Sequence, residues 1–119
     1  MTESEINVAI SELLGWSHIE NANTMAMDGH WRGYPPKGAI VGRKAPLPNF
    51  CDDLNVMRVA EDKLPQTRRG QYNAELSLIA TGRNLSAAVN EPEFIYQLLH
   101  ASSRHRARAF LRVHGIDPG

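Results

Sequence analysis

The stretch His30 to Phe50, HWRGYPPKGAIVGRKAPLPNF, constrains this chain more than any other. It holds four of the seven prolines, three glycines and four positive charges, and it has no acid. Its apolar residues follow neither the 3.6-residue period of a helix nor the two-residue period of a strand. A patternless stretch this long inside a compact domain is either functional or disordered. The regular elements must therefore come from the residues before and after it, with a long ordered loop at about 30–50.

The rest of the chain can supply a core. It has 119 residues and is 42% apolar, which fits one domain spanning 1–119 and not a disordered polymer. No run of about 18 apolar residues is present, so no membrane partner is expected. The start, MTESEINVAI, has no basic segment followed by an apolar one and does not resemble a secretory signal. A single cysteine, Cys51, excludes an internal disulfide and fits a reducing compartment, the cytoplasm of a bacterial host cell. Net charge is zero but unevenly spread. Residues 1–62 carry five Lys/Arg against nine Asp/Glu, and residues 63–119 carry eight against four. Such asymmetry suits a homo-oligomer, an anionic partner at the basic end, or simply two solvated faces.

Residues 2–14 read as a helix, with a Thr2/Glu5 capping box, apolar positions at Ile6, Ala9, Ile10, Leu13 and Leu14, and a stop at Gly15. Residues 16–20 and 25–31 read as short strands, joined by NANT in a hairpin. After the loop, residues 51–65 form a second helix with Leu54, Met57, Ala60 and Leu64 on one face and Asp52 and Asp53 in its first turn. Residues 71–80 fit both periods. Alternation of Tyr72, Ala74, Leu76, Leu78 and Ala80, with turn signals on both sides, favours a strand paired with LSAAV at 85–89. Residues 90–100 favour a short helix capped by Asn90 and Glu93. Ser102 or Ser103 starts a last helix that buries Ala107, Phe110, Leu111 and His114, carries Arg104, Arg108 and Arg112 along one stripe with Arg106 beside it, and ends at Gly115. The expected class is α+β, with helices packed on a small, mostly antiparallel sheet in an alpha/beta/alpha sandwich-like arrangement.

Three segments carry a family resemblance: LLGW at 13–16, FCDDLNVMRVAED at 50–62 and HASSRHRARAFLRVHG at 100–115. In this order they resemble the phage ABA-sandwich domain family, small proteins of bacteriophages and prophages. The most specific pieces are Asp53-Leu54-Asn55, Met57, Ala60-Glu61 and the helix Arg106 to Arg112. The resemblance spans about half the chain. It implies helices packed on a small sheet and a phage or prophage origin, and it implies no activity. The stretch Gly82 to His100 departs from the pattern and leaves the strand order open.

No catalytic set emerges. Asp52 or Asp53 with Glu61 and Lys63 has the residue types of a metal-dependent nuclease, but all fall on one helix. Asp53 and Glu61 lie eight residues apart, roughly 12 Å of rise, too far to share a metal ion. His18, His30, His100, His105 and His114 lack metal-ligand spacing, and Cys51 has no predictable base. The glycines form no phosphate-binding fingerprint. These patterns imply no metal, no cofactor and no enzymatic activity.

Two features point to binding. The loop offers Trp31, Tyr34 and Phe50 as stacking surfaces and Arg32, Lys37, Arg43 and Lys44 as anion contacts. Ser102 and Ser103 at a helix start, with Arg104, Arg106 and Arg108 following, suit a phosphate. The bland alternatives are a loop that buries its aromatics over the sheet and a solvated arginine face. These residues suggest a protein that binds a small anionic, nucleotide-like ligand without turnover, and the resemblance to a phage family implies a phage or prophage accessory protein that sequesters an immune signal as an anti-defence sponge. A homo-oligomer would bring one subunit's loop to another's last helix. A module that inhibits a host protein is the alternative, because exposed Trp, Tyr and Arg also mark protein interfaces. Zero net charge argues against nucleic acid as a partner.

Overall fold

The computed structural model describes residues 1–21, 31–36, 43–88 and 90–119. In chain order these form α1 (Glu3–Leu13), β1 (Ser17–Asn21), β2 (Trp31–Tyr34), β3 (Ala45–Pro46), α2 (Leu54–Asp62), α3 (Gln66–Thr81), a single helical turn α4 (Leu85–Ala88), α5 (Pro92–Leu99) and α6 (Ser103–Val113). The class is α+β, with a three-stranded antiparallel sheet ordered β1-β2-β3.

The first helix forms as its caps dictate. The Thr2 hydroxyl accepts from the Glu5 amide, and the Glu5 carboxylate accepts from the Thr2 amide. The latter bond holds the Glu5 carboxyl below its ordinary range. At the other end Gly15, at φ 101°, lets the Gly15 and Trp16 amides reach back to the Glu12 and Ser11 carbonyls at 3.1 and 3.0 Å. This Schellman turn requires a left-handed residue, which glycine supplies without strain. Gly115 closes α6 in the same way, with Ile116 donating to Leu111.

The sheet takes six residues from the stretch that shows no sequence period, four in β2 and two in β3. Trp31–Tyr34 pairs with β1 on one side and with Ala45–Pro46 on the other. Four residues are too few to display a period, so nothing in the sequence marks β2 as a strand. Of the strand expected at 25–31, only Trp31 falls among the described residues. Between Ser17 and Glu20 the register slips by one, and His18 there adopts φ 52°. The slip is a β-bulge, and His18 is the non-glycine residue that takes the left-handed conformation within it. It presses Ile19 onto Gly33: a Cβ on Gly33 would stand 2.9 Å from Ile19 Cγ1 and 3.1 Å from the Ser17 carbonyl oxygen.

Among the described residues of the second half every regular element is a helix, which corrects two expectations. Residues 71–80 lie inside the 16-residue α3, and 85–88 form a helical turn, not a partner strand. The helical reading places Tyr72 and Leu76 one turn apart and buries both, with Ser77 beside them. Alternation would have buried Leu78, which is 46% exposed. The contacts of α3 with α6 decide between two periods that the sequence leaves balanced. Two cap assignments change as well. Glu91 caps α5, without a side-chain bond, in place of Asn90 with Glu93. Asp53 is the N-cap of α2, accepting from the Asn55 and Val56 amides, and Leu54 is turned outward.

The core assembles around α6, which packs against α1, α2 and α3. It buries Ala107, Ala109, Phe110, Leu111 and Val113 against Ile6 and Ile10 of α1, Met57 and Ala60 of α2, and Tyr72 and Leu76 of α3. Burial of one Phe or Leu side chain contributes about 1.5–3 kcal/mol. Among the described strand residues only Gly33 is buried, so the sheet flanks the helical core.

Two glycine substitutions test this packing from opposite sides. Gly70 sits within α3 and has no positive φ, and a methyl group added at its Cα would meet nothing within 4 Å. Gly70→Ala is expected to stabilise the protein by about 0.5–1 kcal/mol in urea unfolding, a gain that a strand at 71–80 would not give. Gly33→Ala is expected to cost about 1–3 kcal/mol, because Ile19 and the Ser17 carbonyl must both give way.

Candidate functional site

The arginines of α6 do not form an open basic face. Arg106 donates to Glu61 Oε2 at 3.1 Å, to the Ala101 carbonyl at 3.1 Å and to the Leu99 carbonyl at 3.3 Å. The Tyr72 hydroxyl donates to the same Glu61 oxygen. Burial, and then the bond to Glu61, push the Tyr72 phenol far above its ordinary pKa. This network joins α2, α3, α6 and the turn before α6. It removes Arg106 from the candidate ligand contacts, since its side chain is only 18% exposed and each of its three nitrogens already donates to an acceptor of the protein.

The other arginines also have partners. Arg108 donates to the Gly119 carbonyl at 2.6 Å, Arg112 pairs with Glu75, and Arg104 pairs with Glu3. The acidic first half and the basic last helix thus meet within one chain, at Glu3–Arg104 and Glu61–Arg106. The charge asymmetry needs no second subunit to be balanced. Ser102 is the N-cap of α6, its hydroxyl accepting from the His105 amide, and Ser103 opens the first turn.

The candidates before α2 divide over the two faces of β2. Arg32 and Tyr34 share one face, and Trp31 and Gly33 the other. Tyr34 is already flanked: the His18 ring meets its edge at 5.6 Å, and Lys44 lies 5.6 Å from its centroid. Lys44 also pairs with Glu20 at 3.1 Å. Arg32 and Arg43 are exposed. Lys37 lies outside the described residues. Phe50 corrects another expectation: at 1% exposure it is a core residue, not a stacking surface.

Trp31 stands differently. It is half-buried, and its indole nitrogen is buried with no hydrogen-bond partner among the described residues. It lines a cavity of about 380 Å³ together with Thr2, Glu3, Ser4 and Asn7 from the start of α1 and Pro48 and Asn49 from the segment after β3. That volume lies within the range of small-molecule sites. The wall is polar and pre-arranged. Asn7 Nδ2 donates to Asn49 Oδ1 at 3.2 Å, Asn7 Oδ1 accepts from the Cys51 amide at 3.2 Å, and Asn49 Nδ2 donates to Asp52. Each of the two amide nitrogens spends one of its two N–H groups on these bonds. Glu3 is both a wall of this cavity and the partner of Arg104. Two of the sequence candidates, Trp31 and Arg104, therefore converge on Glu3, a residue that was not a candidate. Glu3, Asn7 and Asn49 carry no local signal, because they are ordinary helix-start and loop residues brought together only by tertiary packing.

Cys51 adjoins this site from the core side. It is 4% exposed, its thiol faces the Glu3 carbonyl at 3.9 Å, and burial, reinforced by Asp52, pushes its pKa up to about 11. The thiol stays protonated at neutral pH and is a poor nucleophile there. Among the described residues no group of three or more His, Cys, Asp or Glu is placed to hold a metal ion. A thiol whose folded-state pKa is raised keeps its proton longer than the unfolded chain does. Stability is therefore lost as pH rises from the ordinary thiol value, about 8.5, through about 11. Tyr72 adds to the loss above about pH 10 by the same sign. Urea unfolding at about pH 8 and about pH 11 is expected to show this fall, and Cys51→Ala is expected to reduce it by about 2 kcal/mol.

No protein-family model matches this chain, and comparison with curated proteins and with solved structures returns no similar protein.

Proposed function

We propose that the protein binds a small anionic, nucleotide-like ligand in the Trp31 cavity and holds it without turnover. The observation that carries this reading is the meeting of Trp31 and Arg104 at Glu3. Arg104 and Glu3 are 49% and 44% exposed, so their pair contributes little to stability and can be exchanged for a stronger one. A phosphate replacing the Glu3 carboxylate on Arg104 would gain a charge-assisted bond at the rim of the cavity. The amides of Asn7 and Asn49 and the Ser4 hydroxyl offer hydrogen bonds to the rest of the ligand, with Trp31 and Pro48 as its apolar walls.

The resemblance to the phage ABA-sandwich family adds the setting. In a phage or prophage, capture of a nucleotide signal would blunt a host defence by lowering its free concentration, which needs affinity and no catalytic group. A second reading, binding to a host protein, draws on α5. Ile95, Tyr96 and Leu99 are 41%, 59% and 68% exposed on its outer side, more apolar surface than a short helix normally leaves in water.

Native mass spectrometry with a panel of cyclic dinucleotides, cyclic trinucleotides and ADP-ribose derivatives tests the first reading. A retained ligand of unchanged mass is expected. Arg104→Gln is expected to weaken that retention at least about 10-fold while changing stability by less than about 1 kcal/mol. Return of the ligand as fragments would make the protein an enzyme. Absence of any retained ligand, together with capture of a host protein that Leu99→Asp abolishes, would move the function to α5.

A further inference from the structure

We infer that a second site, on the opposite side of Pro48, takes a small apolar anion such as an aromatic carboxylate. An apolar groove of about 620 Å³ runs between the end of α1 and the outer face of α2. Leu13 and Trp16 form one wall, Val59 and Lys63 the other, with Pro48 and Phe50 at its base. Its size is that of a pocket for one small molecule. Leu13 and Val59 are 40% and 57% exposed, so apolar side chains face water there that a ligand would cover.

The walls are set before any ligand arrives. Phe50 is fixed in the core, and the Schellman turn fixes where Trp16 leaves α1. Pro36 packs against Gly15 of that turn, within 3.5 Å of where a Cβ would lie, and borders the same groove. Little conformational entropy is left to lose on binding.

The charge of the ligand follows from the lining. Lys63 is the one charged residue among the described lining residues, it is exposed, and no acid accompanies it. The ends of α1 and α2 both approach the groove, and helix C-termini disfavour anions. Four carbonyls of these ends are, however, already bonded: Ser11 and Glu12 by the amides of Trp16 and Gly15, and Ala60 and Glu61 by those of Lys63 and Leu64. The ammonium of Lys63 carries the one full charge among the described lining residues. An apolar body with one anionic group satisfies both features, whereas a highly charged nucleotide would place phosphates against leucine, valine and proline.

Calorimetric titration with 2-naphthoate and its neutral analogue 2-naphthamide tests this assignment. The expected result is one site that prefers naphthoate at least about 5-fold. Lys63→Gln should abolish that preference and leave naphthamide binding intact. Val59→Asp should weaken both ligands at least about 10-fold. Both positions are exposed, so circular dichroism of the variants should match the parent. Absence of binding at millimolar naphthoate, equal affinity for the two probes, or binding that survives Val59→Asp would overturn the proposal. So would a dimer that Val59→Asp dissociates, because a second copy would then be the occupant.

Discussion

The structure depends on the burial of α6 by three other helices, and on Arg106 being satisfied where it enters that core. A guanidinium at this depth is tolerated only with its donors matched. Glu61 supplies charge, and the Leu99 and Ala101 carbonyls supply acceptors from the turn that delivers the chain into α6. Tyr72 completes the set by giving Glu61 a second donor. Removing Glu61 would leave both the Arg106 guanidinium and the Tyr72 hydroxyl short of an acceptor, so the network fixes the relative placement of α2, α3 and α6 more strictly than apolar packing alone. Leucine, alanine and phenylalanine can slide; a fork of N–H groups aimed at fixed oxygens cannot.

The same helix organises the exterior. Arg104, at its exposed start, reaches Glu3 at the start of α1. The first two turns of α1 also meet the segment after β3, where Asn7 and Asn49 bond to each other. The Trp31 cavity lies at this junction of three separate parts of the chain, and the apolar groove lies at the other end of α1. One helix thus carries a polar concavity at its N-terminus and an apolar one at its C-terminus. The difference follows from its sequence: Thr2, Glu3, Ser4 and Asn7 occupy the first two turns, and Leu13 and Leu14 the last.

Several features were legible because they rest on local chemistry. The α1 capping box, the stops at Gly15 and Gly115, the apolar face of α2 at Met57, Ala60 and Leu64, and the apolar face of α6 at Ala107, Phe110 and Leu111 each need only neighbours within a few residues. The α+β class followed from these elements and the short strand at the start. Trp31 and Arg104 stood out by residue type. What the sequence could not convey was that Arg106 would be consumed by Glu61, 45 residues away, while Arg104 would reach a cavity wall.

By itself, then, the sequence determined where α1 and α6 begin and end and which faces of α2 and α6 are apolar, since hydrogen-bond closure and side-chain period act over one or two turns. Tertiary structure decided the rest. It made residues 71–80 helical, because packing on α6 rewards Tyr72 and Leu76 on one side, and it turned Trp31–Tyr34 into a strand, because β1 and β3 pair with both its edges. It also separated arginines of one helix into a core clamp and a rim contact. These outcomes depend on partners distant in the chain, and a linear pattern carries no record of which distant residue will arrive.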